Sequence, residues 1–546
     1  MYHVGCQYSS VSASVESFRA CTSKVAIMLA LNLLVFTIGA ICACHAKNIV
    51  LIVADDLDVV LDGMTPLAST RKYIGDEGVT FKNAFAAVPI CCPNRASILT
   101  GRYQHNHRTF NNSLNGGCNA QDWLTSHETN TFAAILKHQM NYSTFYAGKY
   151  LNQYGDKNTG GASHVPPGWD QWYGLIGNSR YYNYSLSVNG VEKKYGAEPS
   201  DYLTDVIKTL ALDYISRQRK DHPFMMVLAP PAPHHPFVPA ERHNDKYKGT
   251  RAKLTKNFNT WTNQEKHWLV RMGPSPLPSN VLASLDEIYR RRWEALLAVD
   301  EMVADVHDQL AKQGLLDDTY VIFTSDNGFH VGQFSQPYDK RQPYEADIRV
   351  PLLVRGPNVT RATEFAAAVS SVDLFATIIE MAGVEAPSDG ISLLKLLRDG
   401  VKDRTVLVEY RGERSIGAPS SGCPSDRDLN LSHCSREFAC KCQDAANNTF
   451  ACVRRVAERE NNVFCVFNED EGEFVEAYDL LSDEFQMTNV GPAMGANKRH
   501  RFRDRLRKMT NCKGRNCVAT NPPLHSHLDE LSLLYTSMED HFVTMI

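Results

Sequence analysis

Three absences narrow this chain before any motif is read. It has no large excess of charge: 57 basic and 61 acidic side chains leave a formal net charge of -4 over 546 residues. That gives no electrostatic case for nucleic acid or for a long-range field steering anions. A local basic pocket stays open. The chain has 15 cysteines but lacks paired Cys-x-x-Cys knuckles, which argues against a structural zinc site. It has no internal repeat and no strong low-complexity segment, so nothing points to a solenoid or a disordered tract.

What is present is ordinary for a large globular protein: 43% hydrophobic and 22% charged residues, with a length that allows a sizeable core and more than one domain. One long apolar stretch, Val25 to Ala46, comes after Arg19 and Lys24 and ends in small residues. It reads as a signal peptide, with an uncleaved anchor as the alternative; only the anchor would bring a membrane into play. Met28 is a more typical start for such a leader. Asn-x-Ser/Thr sequons begin at Asn111, Asn141, Asn183, Asn358, Asn430 and Asn447, consistent with the secretory route. Beyond the leader, cysteines cluster at Cys91, Cys92 and Cys118 and again from Cys423 to Cys465, with Cys512 and Cys517 further on. Disulfides in an oxidising compartment are the better reading, with connectivity open.

Apolar runs at Lys47–Ala54, Phe224–Ala229, Tyr320–Thr324 and Val350–Val354 read as buried strands. Asp205 to Arg219, Leu282 to Gly314 and Asp373 to Gly383 read as helices between and after them. Alternating strands and helices predict an α/β sandwich around a mostly parallel sheet. Residues 1–46 are then the leader, 47–400 a catalytic domain, and 401–546 a smaller cysteine-rich domain with an antiparallel sheet.

In such sheets ligands sit beyond strand C-termini. Asp55-Asp56 and Asp326-Asn327 each end an apolar strand, and adjacent carboxylates at a sheet edge repel unless a cation sits there. Hard divalent ions such as Ca2+ or Mg2+ suit that oxygen set. Lys149, His234 and Lys340 lie in further loops; each alone reads as an ordinary solvated or capped loop residue. Cys91-Cys92-Pro93-Asn94-Arg95 leads into Ala96-Ser97-Ile98-Leu99-Thr100-Gly101-Arg102. The pattern predicts a helix starting just after the proline. A helix N-terminus beside an arginine is an anion site.

That string resembles the sulfatase signature Cys-x-Pro-x-Arg…Thr-Gly-Arg, in which the cysteine is oxidised to formylglycine. With GKYLNQYG, APPAPHHPF and SDNGFHVGQFSQPYDKRQPYEADIRVPLLVRGP, the likeness extends over nearly all of the mature chain. It is nearest to the glucosamine-6-sulfatase branch of the family. The resemblance implies an alkaline-phosphatase-like sandwich and an exosulfatase that removes 6-O-sulfate from N-acetylglucosamine in heparan and keratan sulfate. It implies one Ca2+, with Mg2+ second, held by Asp55, Asp56, Cys91 (as formylglycine), Asp326 and Asn327. Arg95 would orient the formylglycine, Lys149 and Lys340 would hold sulfate, and His234 would assist at the leaving oxygen or the sulfate. His107 and His330 are further candidates for the vicinity. A formylglycine-generating enzyme is the implied maturation partner, and the lysosome the implied destination, with secretion as the alternative. Two residues depart from the wider family pattern. Leu151 replaces a histidine, a change the glucosamine-6-sulfatase branch shares. Asn94 replaces the usual serine and bears on how efficiently Cys91 is converted. Alternative readings are an extracellular heparan sulfate endosulfatase, whose long basic insertion is not found here, and a catalytically dead carbohydrate-binding homologue.

Overall fold

The computed structural model describes residues 46–260, 265–412, 431–432, 440–441, 443, 445, 447–469 and 472–519. The apolar leader up to residue 45, the sequon at Asn430 and Cys423, Cys434 and Cys442 lie outside the described residues. The described residues from Lys47 onward belong to one compact unit.

Its frame is a ten-stranded sheet. The strands are β1 (Asn48–Ala54), β2 (Val79–Phe81), β3 (Ser143–Gly148), β4 (Gln171–Leu175), β5 (Ser185–Val188), β6 (Val191–Lys194), β7 (Phe224–Ala229), β8 (Thr319–Ser325), β9 (Leu352–Arg355) and β10 (Thr363–Phe365). Their spatial order is β10-β2-β9-β8-β1-β7-β3-β4-β5-β6. The centre, β8-β1-β7-β3-β4, is parallel throughout. Every residue of β1, β7 and β8 is buried, which is why these strands lack polar alternation in the sequence. The expected run Val350–Val354 is interrupted: Pro351 separates a short Arg349–Val350 strand from β9. β9 pairs antiparallel with β8.

The helices that matter are α1 (Cys91–Thr100), α2 (Leu203–Ser216), α3 (Ser279–Lys312), α4 (Val372–Met381) and α5 (Ala496–Thr510). One face of the sheet (Val50, Ile52, Met226, Leu228, Phe323) shares a core with Ile207 and Ile215 of α2 and Leu296, Val299 and Val303 of α3. The helix α1 starts two residues before Pro93 rather than after it. A proline in the first turn costs nothing, because the N–H it lacks has no intrahelical partner there. Gly101 closes the helix in a left-handed conformation, φ 64°.

Past residue 400, β11 (Arg404–Arg411), β12 (Thr449–Ala457), β13 (Glu460–Glu469) and β14 (Gly472–Asp479) form a second, antiparallel sheet. Cys452 and Cys465 face each other across β12 and β13 and are disulfide-bonded. Further disulfides join Cys92 to Cys118 and Cys512 to Cys517. A single hydrophobic cluster runs from Phe85, Ile348 and Val372 to Val406, Phe464 and Met509, so the small sheet is packed onto the first part of the chain. Among the described residues no helix is long and apolar enough to cross a membrane.

Candidate active site

Four parallel strands deliver the site at their C-terminal ends. β1 runs straight into Asp55 and Asp56, β8 into Asp326 and Asn327, β3 into Lys149, and β7 into the proline-rich turn carrying His234. Asp56 has a left-handed backbone, φ 67°. Three bonds hold it there. Its N–H donates to Asp326 Oδ1 at 3.0 Å, its carboxylate accepts from Asn327 Nδ2 at 2.7 Å, and its carbonyl accepts from the Arg292 guanidinium at 2.8 Å.

The helix α1 brings Cys91 to the pair. Its Sγ lies 3.8 Å from both Asp55 Oδ1 and Asp56 Oδ1, and its side chain is fully buried. It is the free cysteine among the described residues, since Cys92 is committed to Cys118. One turn on, Arg95 Nε donates to Asp326 Oδ2 at 2.8 Å and its terminal nitrogen to the Lys149 carbonyl at 2.8 Å. Arg95 thus ties α1 to the ends of β8 and β3.

Two ammonium groups balance the two carboxylates. Lys149 Nζ sits 2.8 Å from both oxygens of Asp55, and Lys340 Nζ 2.7 and 2.6 Å from those of Asp56. His234 Nε2 is 3.8 Å from Asp56 Oδ2, while its Nδ1 bonds the His235 carbonyl at 2.6 Å. Burial alone would push the Asp55 carboxyl up, but Lys149, His234 and Arg95 hold it well below the usual range. Burial likewise opposes, and Lys340 and His234 together enforce, an Asp56 value of about 2. Burial pushes the Cys91 thiol up to about 12 and lowers His234 to about 4. Both carboxylates are therefore charged and Cys91 is a neutral thiol near neutral pH, not a nucleophile as it stands.

Asp55, Asp56, Cys91 and His234 present ligand atoms within 4.8 Å of one another, a group that could hold a metal ion. Asp326 and Asn327 add oxygens from the neighbouring strand. The Asn327 Oδ1 is buried with no hydrogen-bond partner, a cost that a cation at this point would relieve. Asp55, Asp56, Asp326 and Asn327 supply carboxylate and amide oxygens, which suit a hard divalent ion, while Cys91 and His234 add a sulfur and a nitrogen to the candidate set.

The structure thus gathers Asp55, Asp56, Cys91, Arg95, Lys149, His234, Asp326, Asn327 and Lys340 into one cluster. His107 and His330 are engaged elsewhere: His107 with Ser97 at 3.0 Å, His330 with Asp347 at 2.8 Å and Gln443 at 2.9 Å. Two contributors, and the bracing role of a third, escaped the reading of the sequence. Ser179 donates a short hydrogen bond to Asp55 Oδ2; a lone loop serine carries no signal. Arg292 bridges the Asp56 carbonyl and Asp58. Its signal was present, since it interrupts the buried stripe Leu285, Ile288, Ala295, Val299 of α3, where a cation needs a buried partner. Asn94 is the third. Its Oδ1 accepts from the Ala87 and Val88 N–H groups at 3.0 and 3.4 Å and from Ser371 Oγ at 2.6 Å; its amide donates to the Asp326 carbonyl. It ties the start of α1 to the strand end that holds Asp326.

The family model described as sulfatase matches residues 47–384. N-acetylglucosamine-6-sulfatase of Homo sapiens is 43% identical over 504 residues, 91% of this chain and 90% of that protein. The Capra hircus protein of the same name is 43% identical over 488 residues, 88% and 86% of the two chains. A solved structure in complex with its substrate D-glucosamine-2-N,6-O-disulfate superposes with a TM-score of 0.67 at 21% identity, covering 88% of this chain and 100% of that one. The sheet has the alkaline-phosphatase-like sulfatase fold, and relatives at 43% identity over most of the chain make the protein a sulfuric ester hydrolase. The chain belongs to the sulfatase family.

Proposed function

We propose that this protein is an exosulfatase hydrolysing the 6-O-sulfate ester of N-acetylglucosamine at the ends of heparan and keratan sulfate chains. One observation carries the chemistry: a buried cysteine in the sulfatase signature stands 3.8 Å from two ionised carboxylates, each with a lysine beside it. The substrate is taken from the relatives' names, N-acetylglucosamine-6-sulfatase, at 43% identity over most of both chains.

In this reading Cys91 is the precursor of formylglycine, installed by a formylglycine-generating enzyme. Asp55, Asp56, Asp326 and Asn327 hold Ca2+ with the residue at position 91. The cation would supply charge stabilisation at sulfate oxygens, and the hydrated aldehyde would supply the attacking hydroxyl. The chain's own residues do the rest. Lys149 and Lys340, which pair with the carboxylates, would bind sulfate oxygens, where preorganised charge is worth most. Arg95 fixes the residue at 91 by anchoring its helix to Asp326 and Lys149. His234, whose Nε2 faces the carboxylate pair, is placed to assist at the leaving sugar oxygen or at the sulfate. The leader at residues 1–46 and the disulfides suit the secretory route, with the lysosome as destination. The catalytic portion spans 47–400 and the smaller portion 401–546.

The test is sulfate release from oligosaccharides carrying N-acetylglucosamine 6-sulfate at the non-reducing end or only internally. Release from the terminal unit alone supports the exosulfatase. Release from internal units marks an endosulfatase, and no release from either marks a binding protein.

A further inference from the structure

A cleft of about 680 Å3 opens beside the carboxylate pair and is not used by the chemistry above. It joins the site at two points. Ser179, in its wall, is bonded to Asp55. His235, also in its wall, is the neighbour of His234 in the chain and interacts electrostatically with Asp56 and Lys340. The charge of its wall has one sign: Arg180, Lys194 and His235 line it, and no lining residue among those described is a carboxylate. Arg180 and Lys194 are exposed. Neither has a carboxylate partner among the described residues, unlike most basic side chains near the site. Arg180 bonds only the Asn183 carbonyl, at 3.3 Å. Tyr184 lines the same cleft, is only 4% exposed, and its hydroxyl has no hydrogen-bond partner.

We propose that this cleft is a second anion subsite, receiving the carboxylate or extra sulfate of the sugar next to the one being desulfated. The proposal rests on the exosulfatase function and adds to it the chemistry of the second sugar. A chain whose end lies over Asp55 and Asp56 continues past Ser179 into the cleft. There two exposed cations, Arg180 and Lys194, meet an acidic neighbour. Arg180 and Lys194, exposed and without a carboxylate partner among the described residues, carry the recognition. The cations are solvent-facing, so each contributes modestly and is screened by salt.

The experiment compares wild type with the Arg180→Ala/Lys194→Ala double variant. The substrates are N-acetylglucosamine 6-sulfate alone and the same unit joined to glucuronate, to galactose 6-sulfate or to unsulfated galactose. The expected result is a KM raised about tenfold for an acidic neighbour at low salt, kcat retained, and a far smaller rise for the neutral one. Arg180→Lys/Lys194→Arg should restore most of the loss. The glucuronate and sulfated-galactose arms separate carboxylate from sulfate as the anion. Equal KM shifts for acidic and neutral neighbours, or no shift with either, would overturn the subsite. Running the series in Asn183→Gln removes any glycan at this rim sequon. Should wild type turn over none of the four, the proposed function fails rather than the cleft. Calorimetric binding of the glucuronate disaccharide to wild type and double variant then decides the cleft, equal affinities sinking it.

Discussion

Asn94→Ala should destabilise the fold by about 3 kcal/mol. The side chain is fully buried and makes four hydrogen bonds. Ala87 N–H keeps a second acceptor, Ser371 Oγ at 3.0 Å, so it loses little. The Val88 N–H, the Ser371 hydroxyl hydrogen and the Asp326 carbonyl lose their partners. Each unsatisfied buried group costs roughly 1–3 kcal/mol, and three at the low end sum to about 3 kcal/mol. A small cavity at the removed amide adds to it. The assay is denaturant unfolding, read as a fall in midpoint at constant slope. Formylglycine content is measured separately on the peptide bearing position 91. An unfolding midpoint equal to wild type would refute the reasoning. If conversion alone fell, Asn94 would matter to the maturation enzyme and not to the folded site.

The same geometry sets other expectations. Lys340→Ala strips Asp56 of its closest cation and should cost about 100- to 1,000-fold in kcat, read by sulfate release. Prolonged chelation should abolish activity and added Ca2+ restore it, while activity untouched by chelation would contradict a metal at Asp55 and Asp56. Cys118→Ser opens a loop of 26 residues and should cost about 3 kcal/mol of stability, checked by the same denaturant titration. His105→Ala tests a pH effect remote from the carboxylates. Both His105 ring nitrogens face acceptors, Glu409 at 2.8 Å and the Cys512 carbonyl at 2.9 Å. Burial lowers its pKa, but Glu409 outweighs burial and the net shift is upward. A raised folded pKa means the contribution is complete below about 6.5 and is lost as pH climbs through the folded value. The variant should therefore be destabilised by about 1 kcal/mol at pH 5 and by less at pH 8; an equal loss at both would contradict a charged His105.

The parts legible in the sequence were those set by local chemistry. Buried parallel strands are apolar on both faces, so β1, β7 and β8 stood out within a residue of their observed ends. Their loops carried Asp55, Asp56, His234, Asp326 and Asn327 because ligand sites form at such ends. The helix α3 was plain from its period, read as Leu282 to Gly314 and found from Ser279, three residues earlier, to Lys312. What stayed hidden depends on long-range pairing. The reversal of β9 against β8 comes after a proline break that looks like one continuous run. The start of α1 before Pro93 turns on a backbone rule that a proline masks. Ser179 reaches Asp55 across 124 positions of sequence, and no spacing announces that. Asn94 looked like a departure from a signature; its four buried bonds make it a brace between α1 and β8.

In the proposed mechanism residue 91, once converted, is the nucleophile of a sulfatase. The most direct measurement pairs mass analysis of the peptide bearing position 91 with sulfate release from terminal N-acetylglucosamine 6-sulfate, in wild type and Cys91→Ala. The expected result is the aldehyde form at Cys91, turnover by wild type and none by the variant. An unmodified thiol throughout active wild-type enzyme, or a Cys91→Ala protein as active as wild type, would contradict it.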